Sequence, residues 1–223
     1  MTVAILGGAG NLGYALARRW ALAGRHVFIG SRDAEKARQA AAELGEEVRR
    51  RGAGGVIEGA DNRTAAARGA VVVLTVPFAA QAAVIEEVGP ELAGKVLVDT
   101  TVPLVPPRMA RVQLPPEGCA AAIAARLAGE GVRVVSAFHN VPADLLRGDG
   151  NLDCDVLVFG DEKDARAQAV ALAEAAGLRA FHAGALANSA AAEALTSVLI
   201  FLNKHYGGHA GVRFTGLGGG EAG

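Results

Sequence analysis

The chain has 223 residues, of which 51% are hydrophobic and 20% charged, and its formal net charge is −1. This composition is typical of a folded globular protein, and the absence of a basic excess argues against nucleic-acid or anionic-membrane binding. The sequence lacks a signal-peptide pattern and an apolar run of the ~20 residues that a membrane span needs. Its two cysteines, Cys119 and Cys154, match no metal spacing, which predicts reduced thiols in a cytoplasmic protein.

Short apolar runs alternate with alanine-rich amphipathic stretches, which is the pattern of βαβ units around a parallel sheet. The predicted strands, in chain order, are 3–6, 26–30, 56–57, 71–76, 96–99, 132–138, 156–159 and 178–181. The predicted helices are 11–23, 34–50 with Asp33 as the cap, 78–88, 119–128, 162–176 and 186–203. The segment 102–118 holds five of the eight prolines and is predicted to be irregular.

A glycine-rich motif lies directly between the first predicted strand and the first predicted helix. It consists of Gly8, Ala9, Gly10, Asn11, Leu12 and Gly13. In this context G-x-G-x-x-G indicates a dinucleotide site. The first glycine permits a tight turn, the second lets the backbone approach a pyrophosphate, and the third allows close packing of helix on strand. The helix N-terminus then attracts the anion.

These elements predict an α/β protein of Rossmann type, with a doubly wound, mostly parallel sheet and a small C-terminal helical part. The predicted division is a dinucleotide-binding domain over 1–142, a small α/β part over 143–215 and a flexible tail over 216–223.

The residues after the second strand predict which dinucleotide binds. An NAD site places a carboxylate there for the ribose hydroxyls, whereas this chain has Ser31 and Arg32, with Lys36 one helical turn further on. A planar guanidinium pairs well with a 2′-phosphate. The pattern therefore favours NADP(H) over NAD(H).

Three segments should meet where parallel strands end, at the edge of the sheet where such folds bind ligands. They are Thr75-Val76-Pro77, the segment 100–103 and the segment 139–142. His139 is the one histidine that this pattern places at the edge. Both a packed structural role and a positioning role stay open for it. Direct hydride transfer between two rings needs alignment more than acid–base groups, so a site poor in ionisable groups suits that chemistry.

Taken together, these motifs resemble the NADPH:coenzyme F420 oxidoreductase family. The resemblance covers the chain to about Phe214 and is carried by segments 7–13, 30–32, 74–77, 136–142, 188–189 and 193–196. It implies a homodimeric cytoplasmic oxidoreductase in which a hydride passes between C4 of the nicotinamide of NADP(H) and C5 of the deazaflavin F420. The part 143–215 would complete the acceptor pocket and the dimer interface.

The resemblance also implies roles for single residues. Ala9 to Leu12 would hold the pyrophosphate, and Ser31, Arg32 and Lys36 the 2′-phosphate. Thr75, Val76 and Pro77 belong to the same cofactor site. The nicotinamide and acceptor side would use Ala137, His139, Val141 and Thr196.

Two features depart from the family pattern. Ala190 and Ala194 stand where family members carry an arginine and a serine, and the proline-rich segment is long. The acceptor therefore stays open between F420 and alternatives of the same fold, namely a reductase using FAD, FMN or a small imine or carbonyl substrate. A non-catalytic NADP(H) sensor is a third hypothesis. The helix 186–203, almost uncharged before Lys204, predicts burial against a second subunit.

Overall fold

The computed structural model describes residues 1–150 and 152–217. Eight strands form one sheet in the order β3-β2-β1-β4-β5-β6-β7-β8. Their bounds are β1 Thr2–Leu6, β2 His26–Ser31, β3 Val56–Asp61, β4 Val71–Leu74, β5 Val96–Asp99, β6 Arg133–Ser136, β7 Asp155–Gly160 and β8 Arg179–His182. The first six strands are parallel, and β7 joins β6 in antiparallel orientation. The predicted mostly parallel Rossmann-type sheet is confirmed.

The helices lie on both faces of this sheet. Their bounds are α1 Asn11–Leu22, α2 Ala34–Arg50, α3 Asn62–Arg68, α4 Phe78–Val88, α5 Ala120–Ala128, α6 Ala143–Leu146, α7 Lys163–Ala175 and α8 Ser189–Tyr206. Strand side chains alternate between two cores. Val3 and Ile5 pack with α1, α2 and α7, while Ala4 and Leu6 pack with α3, α4 and α5.

The predicted elements agree with the structure along most of the chain, and the segment 102–118 contains no helix or strand. Asp33 caps α2 by accepting hydrogen bonds from the backbone N–H groups of Glu35 and Lys36. Both cysteines are buried, and they form no disulfide with each other. The proposed flexible tail lies mostly outside the described residues, which end at 217.

The third strand is longer than predicted, and two helices, α3 and α6, were not predicted. β3 pairs with β2 over six residues although its sequence shows little apolar alternation. The reason lies at Gly59, where an added Cβ would come within 2.3 Å of the backbone of Ala37 in α2. The helix packs here against strand backbone, so no row of large apolar side chains marks the strand.

Helix α8 is only partly covered. Ser189, Ala192 and Glu193 are buried, whereas Phe201 is 52% exposed. By length and composition Leu186–Tyr206 is the one segment, among the described residues, that could cross a membrane, and 33% of the window concerned is buried inside the protein. This is a weak indication, because core helices of soluble proteins meet the same criterion. Glu193 is the one charged residue in α8 before Lys204, and it is 1% exposed.

Candidate functional site: a cleft at the carboxyl edge of the sheet

The glycine loop follows β1, next to the point where the strand order reverses between β1 and β4. Such switch points are where open α/β sheets bind ligands. Gly10 is the N-cap of α1 and supplies no side chain to the first turn. The N–H groups of that turn have no partner within the helix, so they are available to an anion.

The loop glycines fit a bound pyrophosphate. A Cβ on Gly10 would lie 3.2 Å from the carbonyl oxygen of Gly7, in tight contact with the backbone of the loop. A Cβ on Gly13 would come within 2.6 Å of both Gly8 Cα and Thr75 Oγ1. The second glycine thus leaves the backbone accessible, and the third lets α1 pack closely beside β1 and β4, as the sequence motif predicts.

A cavity of about 270 Å³ extends from this loop across the edge of the sheet. Its lining brings the glycine loop together with residues after β2 and β4. They are Gly7, Ala9, Gly10, Ser31, Arg32, Asn62, Thr75, Val76, Pro77, Ala80 and Val84. Seven of the residues predicted to bind the cofactor are among them. Lys36 is not in this lining. It is exposed, with Nζ 3.9 Å from Asp33 Oδ2.

The charges beside the cavity suit a phosphate. Arg32 is exposed, and no carboxylate of the described residues lies within 4.0 Å of its guanidinium. Asp33, the nearest acidic residue in sequence, uses Oδ1 to accept the N–H groups of Glu35 and Lys36 at 3.1 and 3.3 Å. Its carboxylate is therefore engaged as a helix cap. Ser31 Oγ accepts the N–H of Asp33 at 3.2 Å.

Asn62 is a cavity residue that no sequence motif indicates. It begins α3, is 1% exposed and lines the cavity. Its Nδ2 donates to Glu87 Oε2 at 3.1 Å, while Oδ1 has no hydrogen-bond partner among the described residues. The only signal that could have found it was its position after β3, a strand whose length was underestimated.

The segment that the sequence predicts to contact the acceptor follows β6. Phe138 has a φ of +67° and is 2% exposed, with its ring packed edge-on against Trp20. A positive φ is rare for a bulky residue and costs of order 1–3 kcal/mol. The surrounding core supports this turn, which directs the next residues beneath α8.

The predicted acceptor residues are brought together by hydrogen bonds to α8. Asn140 Nδ2 donates to the carbonyl oxygen of Ala192 at 2.9 Å and to Thr196 Oγ1 at 3.1 Å. Thr196 Oγ1 donates to the carbonyl oxygen of His139 at 3.1 Å. Val141 is half-buried beside them, and Ala137 is fully buried behind the turn.

His139 lies at the end of a buried polar chain. Its Nε2 is 2.8 Å from Ser136 Oγ, which contacts Ser189 Oγ, and Ser189 donates to Glu193 Oε1 at 2.8 Å. Burial lowers the pKa of His139 to about 3, so the ring is neutral at pH 7. The carboxyl oxygens of Glu193 accept the N–H groups of Ala120 and Ala121 at 2.6 and 3.2 Å. Burial nevertheless raises the pKa of Glu193.

A second buried carboxyl group lies close to this chain. Asp99, at the end of β5, accepts hydrogen bonds from Gln81 Nε2 at 2.7 Å and from Thr101 Oγ1 at 3.0 Å. Burial raises its pKa to about 7, against the effect of these donors, and the charge of Glu193 raises it further. No local sequence motif marks Ser136, Ser189, Glu193 or Asp99 as functional, because their contacts join distant segments.

The fold and the cleft define a class, the dinucleotide-binding oxidoreductases of Rossmann type. The family model described as "NADP oxidoreductase coenzyme F420-dependent" matches residues 2–103. The chain is 43% identical to the F420-dependent NADP reductase of Methanothermobacter thermautotrophicus, covering 97% of this chain and 96% of that protein. It is also 43% identical to the enzyme of the same name from Methanothermobacter marburgensis, at 97% and 99% coverage.

A solved structure agrees with these sequence matches. The putative F420-dependent NADP reductase of Arthrobacter sp. FB24 superimposes with a TM-score of 0.76 at 27% identity, covering 93% of this chain and 95% of that one. The chain therefore belongs to the F420-dependent NADP reductase family.

Proposed function

We propose that this protein transfers a hydride between NADP(H) and the deazaflavin coenzyme F420. The observation that carries the proposal is the cavity that joins the glycine loop to Arg32 on one side and to Thr75-Val76-Pro77 on the other. The proposal is also supported by membership of the family and by the names of the relatives, which are F420-dependent NADP reductases. When both coenzymes are bound, the nicotinamide supplies or takes the hydride and the deazaflavin is its partner.

The chain's own residues would bind and align the cofactor. The backbone from Ala9 to Leu12 and the N-terminus of α1 would bind the pyrophosphate. Ser31 and Arg32 would hold the 2′-phosphate, because a guanidinium free of described carboxylates is available there. Lys36 is one turn along α2, and its exposed side chain can add a second positive charge.

The acceptor would lie against His139, Val141 and Thr196, next to Ala137 on the nicotinamide side. These residues supply no charge at pH 7, since the His139 ring is neutral. Such a surface orients a ring and excludes water, which is the main requirement of direct hydride transfer. Ala190 and Ala194 are half-buried nearby on α8 and offer no polar group.

The direct test mixes purified protein with NADPH and one acceptor at a time, namely F420, FMN or FAD, and follows the nicotinamide absorbance. We expect rapid oxidation with F420. Oxidation with a flavin and not with F420 would contradict the proposed acceptor, and no oxidation with any of the three, despite tight NADPH binding, would favour a sensor.

We propose further that the protein is a cytoplasmic homodimer, with 1–142 holding NADP(H) and 143–215 completing the acceptor pocket and the interface. Two buried cysteines that form no disulfide with each other support the compartment. The interface is supported by the exposed apolar side chains Val198 and Phe201 of α8. The proline-rich segment adds four more exposed apolar side chains, Val105, Met109, Val112 and Leu114. This segment contacts α8 through the hydrogen bond from Ser197 Oγ to the carbonyl oxygen of Arg111.

A further inference from the structure

The buried chain from His139 to Glu193 is continuous, and every link is a group that can both accept and release a proton. It joins β6 to α8, across 53 residues of sequence between Ser136 and Ser189. Ser136, Ser189 and Glu193 are 0–1% exposed, so no bulk water separates them. His139, at the opposite end from Glu193, is 8% exposed.

The hydrogen atoms of this chain can be arranged in only two complete ways. When Glu193 is ionised it can only accept, so Ser189 donates to it, Ser136 donates to Ser189, and His139 Nε2–H donates to Ser136. When Glu193 carries a proton on Oε1, it donates to Ser189, each hydroxyl turns around, and Ser136 donates to His139 Nε2, which leaves the ring proton on Nδ1. Either state preserves the bonds from the N–H groups of Ala120 and Ala121 to the carboxyl oxygens.

The free end of the chain is His139 Nδ1. It has no hydrogen-bond partner among residues 1–150 and 152–217, and it is not among the fully buried unpaired atoms of those residues. His139 follows β6 at the carboxyl edge of the sheet, and its carbonyl oxygen accepts a hydrogen bond from Thr196, another predicted acceptor residue, at 3.1 Å.

We propose that His139, Ser136, Ser189 and Glu193 form a proton relay between the acceptor side of the cleft and a buried carboxyl group. The proposal rests on the function proposed above, because a neutral acceptor that receives a hydride also needs one proton to remain neutral. The relay would supply this proton in a protein whose Ala190 and Ala194 have no proton to give.

Each transfer conserves protons and moves no electrons. When His139 Nδ1–H gives its proton to the cleft, Nε2 takes the proton of Ser136, Ser136 takes that of Ser189, and Ser189 takes that of Glu193. Glu193 loses one proton, the cleft gains one, and the imidazole changes tautomer. The reverse sequence returns a proton to Glu193. The ring passes only between neutral forms, as its burial requires, since the low pKa of His139 disfavours imidazolium.

The test breaks the relay in its middle and leaves both ends in place. Ser189→Ala removes one hydroxyl of the relay. Ser197→Ala is the matched control, because Ser197 is a 3% exposed serine of the same helix whose hydroxyl donates to the carbonyl oxygen of Arg111 and not to any relay residue. The first measurement is the ¹⁵N NMR spectrum of the His139 imidazole in the coenzyme-free protein, assigned by its loss in His139→Gln. We expect one neutral tautomer in the wild type and in Ser197→Ala, and an altered tautomer ratio in Ser189→Ala. Unchanged ¹⁵N shifts in Ser189→Ala would overturn the relay.

The second measurement is single-turnover hydride transfer from NADPH to F420 in mixtures of H₂O and D₂O. We expect Ser189→Ala to slow transfer by about 10²-fold, at the lower end of what general acid–base catalysis contributes, and to lose the curved dependence on deuterium fraction that several moving protons produce. NADPH affinity should not change. A wild-type rate in Ser189→Ala would refute the relay. If the wild type fails to reduce F420, the proposed function is wrong, while the NMR result still decides whether the chain sets the tautomer. Ser136→Ala breaks the next link and replaces Ser189→Ala if that variant does not fold.

Discussion

The two sides of the cleft are built from different materials. The cofactor side consists of backbone: a glycine loop, the first turn of α1 and the ends of β1 and β4, with Arg32 as an exposed charge. The proposed acceptor side consists of buried side chains that hydrogen-bond across the molecule, from His139 through two serines to Glu193. A backbone site needs few particular residues, at fixed spacing, whereas a side-chain network needs several segments to meet.

This difference predicts how each side responds to mutation. On the cofactor side, one side chain can be removed and the rest of the site remains. On the acceptor side, removal of one member leaves another buried polar group without its partner, which costs more.

The largest effect is expected at His139. His139→Ala should slow hydride transfer by about 10²–10⁴-fold, because the variant loses both ring positioning and proton transfer. NADPH binding should change by less than about 1 kcal/mol, as expected of a residue that does not contact that cofactor. Stopped-flow single turnover and calorimetry separate the two quantities, and His182→Ala, an exposed histidine of β8, is the control. Transfer at the wild-type rate would show that His139 is structural and that the acceptor is placed wrongly.

The next effect is expected at Arg32. Loss of a charge-assisted pair costs about 1.5–3 kcal/mol, so Arg32→Ala should weaken NADP binding by roughly 10- to 150-fold and leave NAD binding nearly unchanged. Calorimetry with both dinucleotides measures this. Arg38→Ala is the matched control, since Arg38 is an exposed arginine of α2 that pairs with Glu35. Equal weakening of NADP and NAD would contradict a 2′-phosphate contact.

The same contrast explains what could be predicted from the sequence. The cofactor side was predictable because close backbone approach requires glycine at set positions, and Gly10 and Gly13 meet that requirement in the structure. β1 and β4 are likewise predictable, because strands that are buried on both faces of the sheet appear in the sequence as short apolar runs. The acceptor side was predictable only in its residues near His139, through the family resemblance. The contact of Ala120 with Glu193 spans 73 residues, and no local pattern indicates such a pairing.

Two features of the structure leave no local sequence pattern, for the same physical reason. β3 was underestimated because α2 packs on the backbone at Gly59, and Asn62 was missed with it. In α8, the carboxyl group of Glu193 is buried because it caps α5, a helix from a distant segment of the chain. Where an element is stabilised by a distant partner, its own residues lose the periodicity on which sequence prediction relies.

A smaller effect is expected at the proposed dimer interface. Phe201 is 52% exposed in one subunit, so association can bury about half of its side chain, worth roughly 1–1.5 kcal/mol. Phe201→Asp should raise the dimer dissociation constant by at least about 10-fold, seen by sedimentation velocity. Leu145→Asp, which changes a 45% exposed leucine of α6 outside this surface, should not. A wild-type monomer at micromolar concentration would refute the dimer itself.

The smallest effect is expected on stability, at the hydrogen bonds that connect the cofactor side to the proposed acceptor side. Arg18 of α1 is 7% exposed and donates to Glu47 of α2 at 2.6 Å and to Asp149 at 2.6 Å. Asp149 belongs to the loop that follows α6. These hydrogen bonds therefore link α1, which follows the glycine loop, to the segment that follows the predicted acceptor residues 139–142. The hydrogen bonds from Arg18 lower the pKa of Glu47 against the opposing effect of burial.

The sign of the pH dependence follows from that direction. A carboxyl group whose pKa is lower in the folded protein stabilises the fold above its unfolded pKa, about 4.3 for glutamate, and loses this contribution as the pH falls through the folded pKa. Glu47→Gln should therefore lower the free energy of unfolding by about 1 kcal/mol at pH 7, the upper end of values for ion pairs near a surface. Urea unfolding should show this difference unchanged down to about pH 5 and shrinking below pH 4.3. Glu35→Gln is the control, because its pair with Arg38 is exposed and lies within α2. A difference that persists at low pH would mean that Glu47 acts through packing and not through its charge. The ion pairs of Arg18 would then not be what connects the two sides of the site.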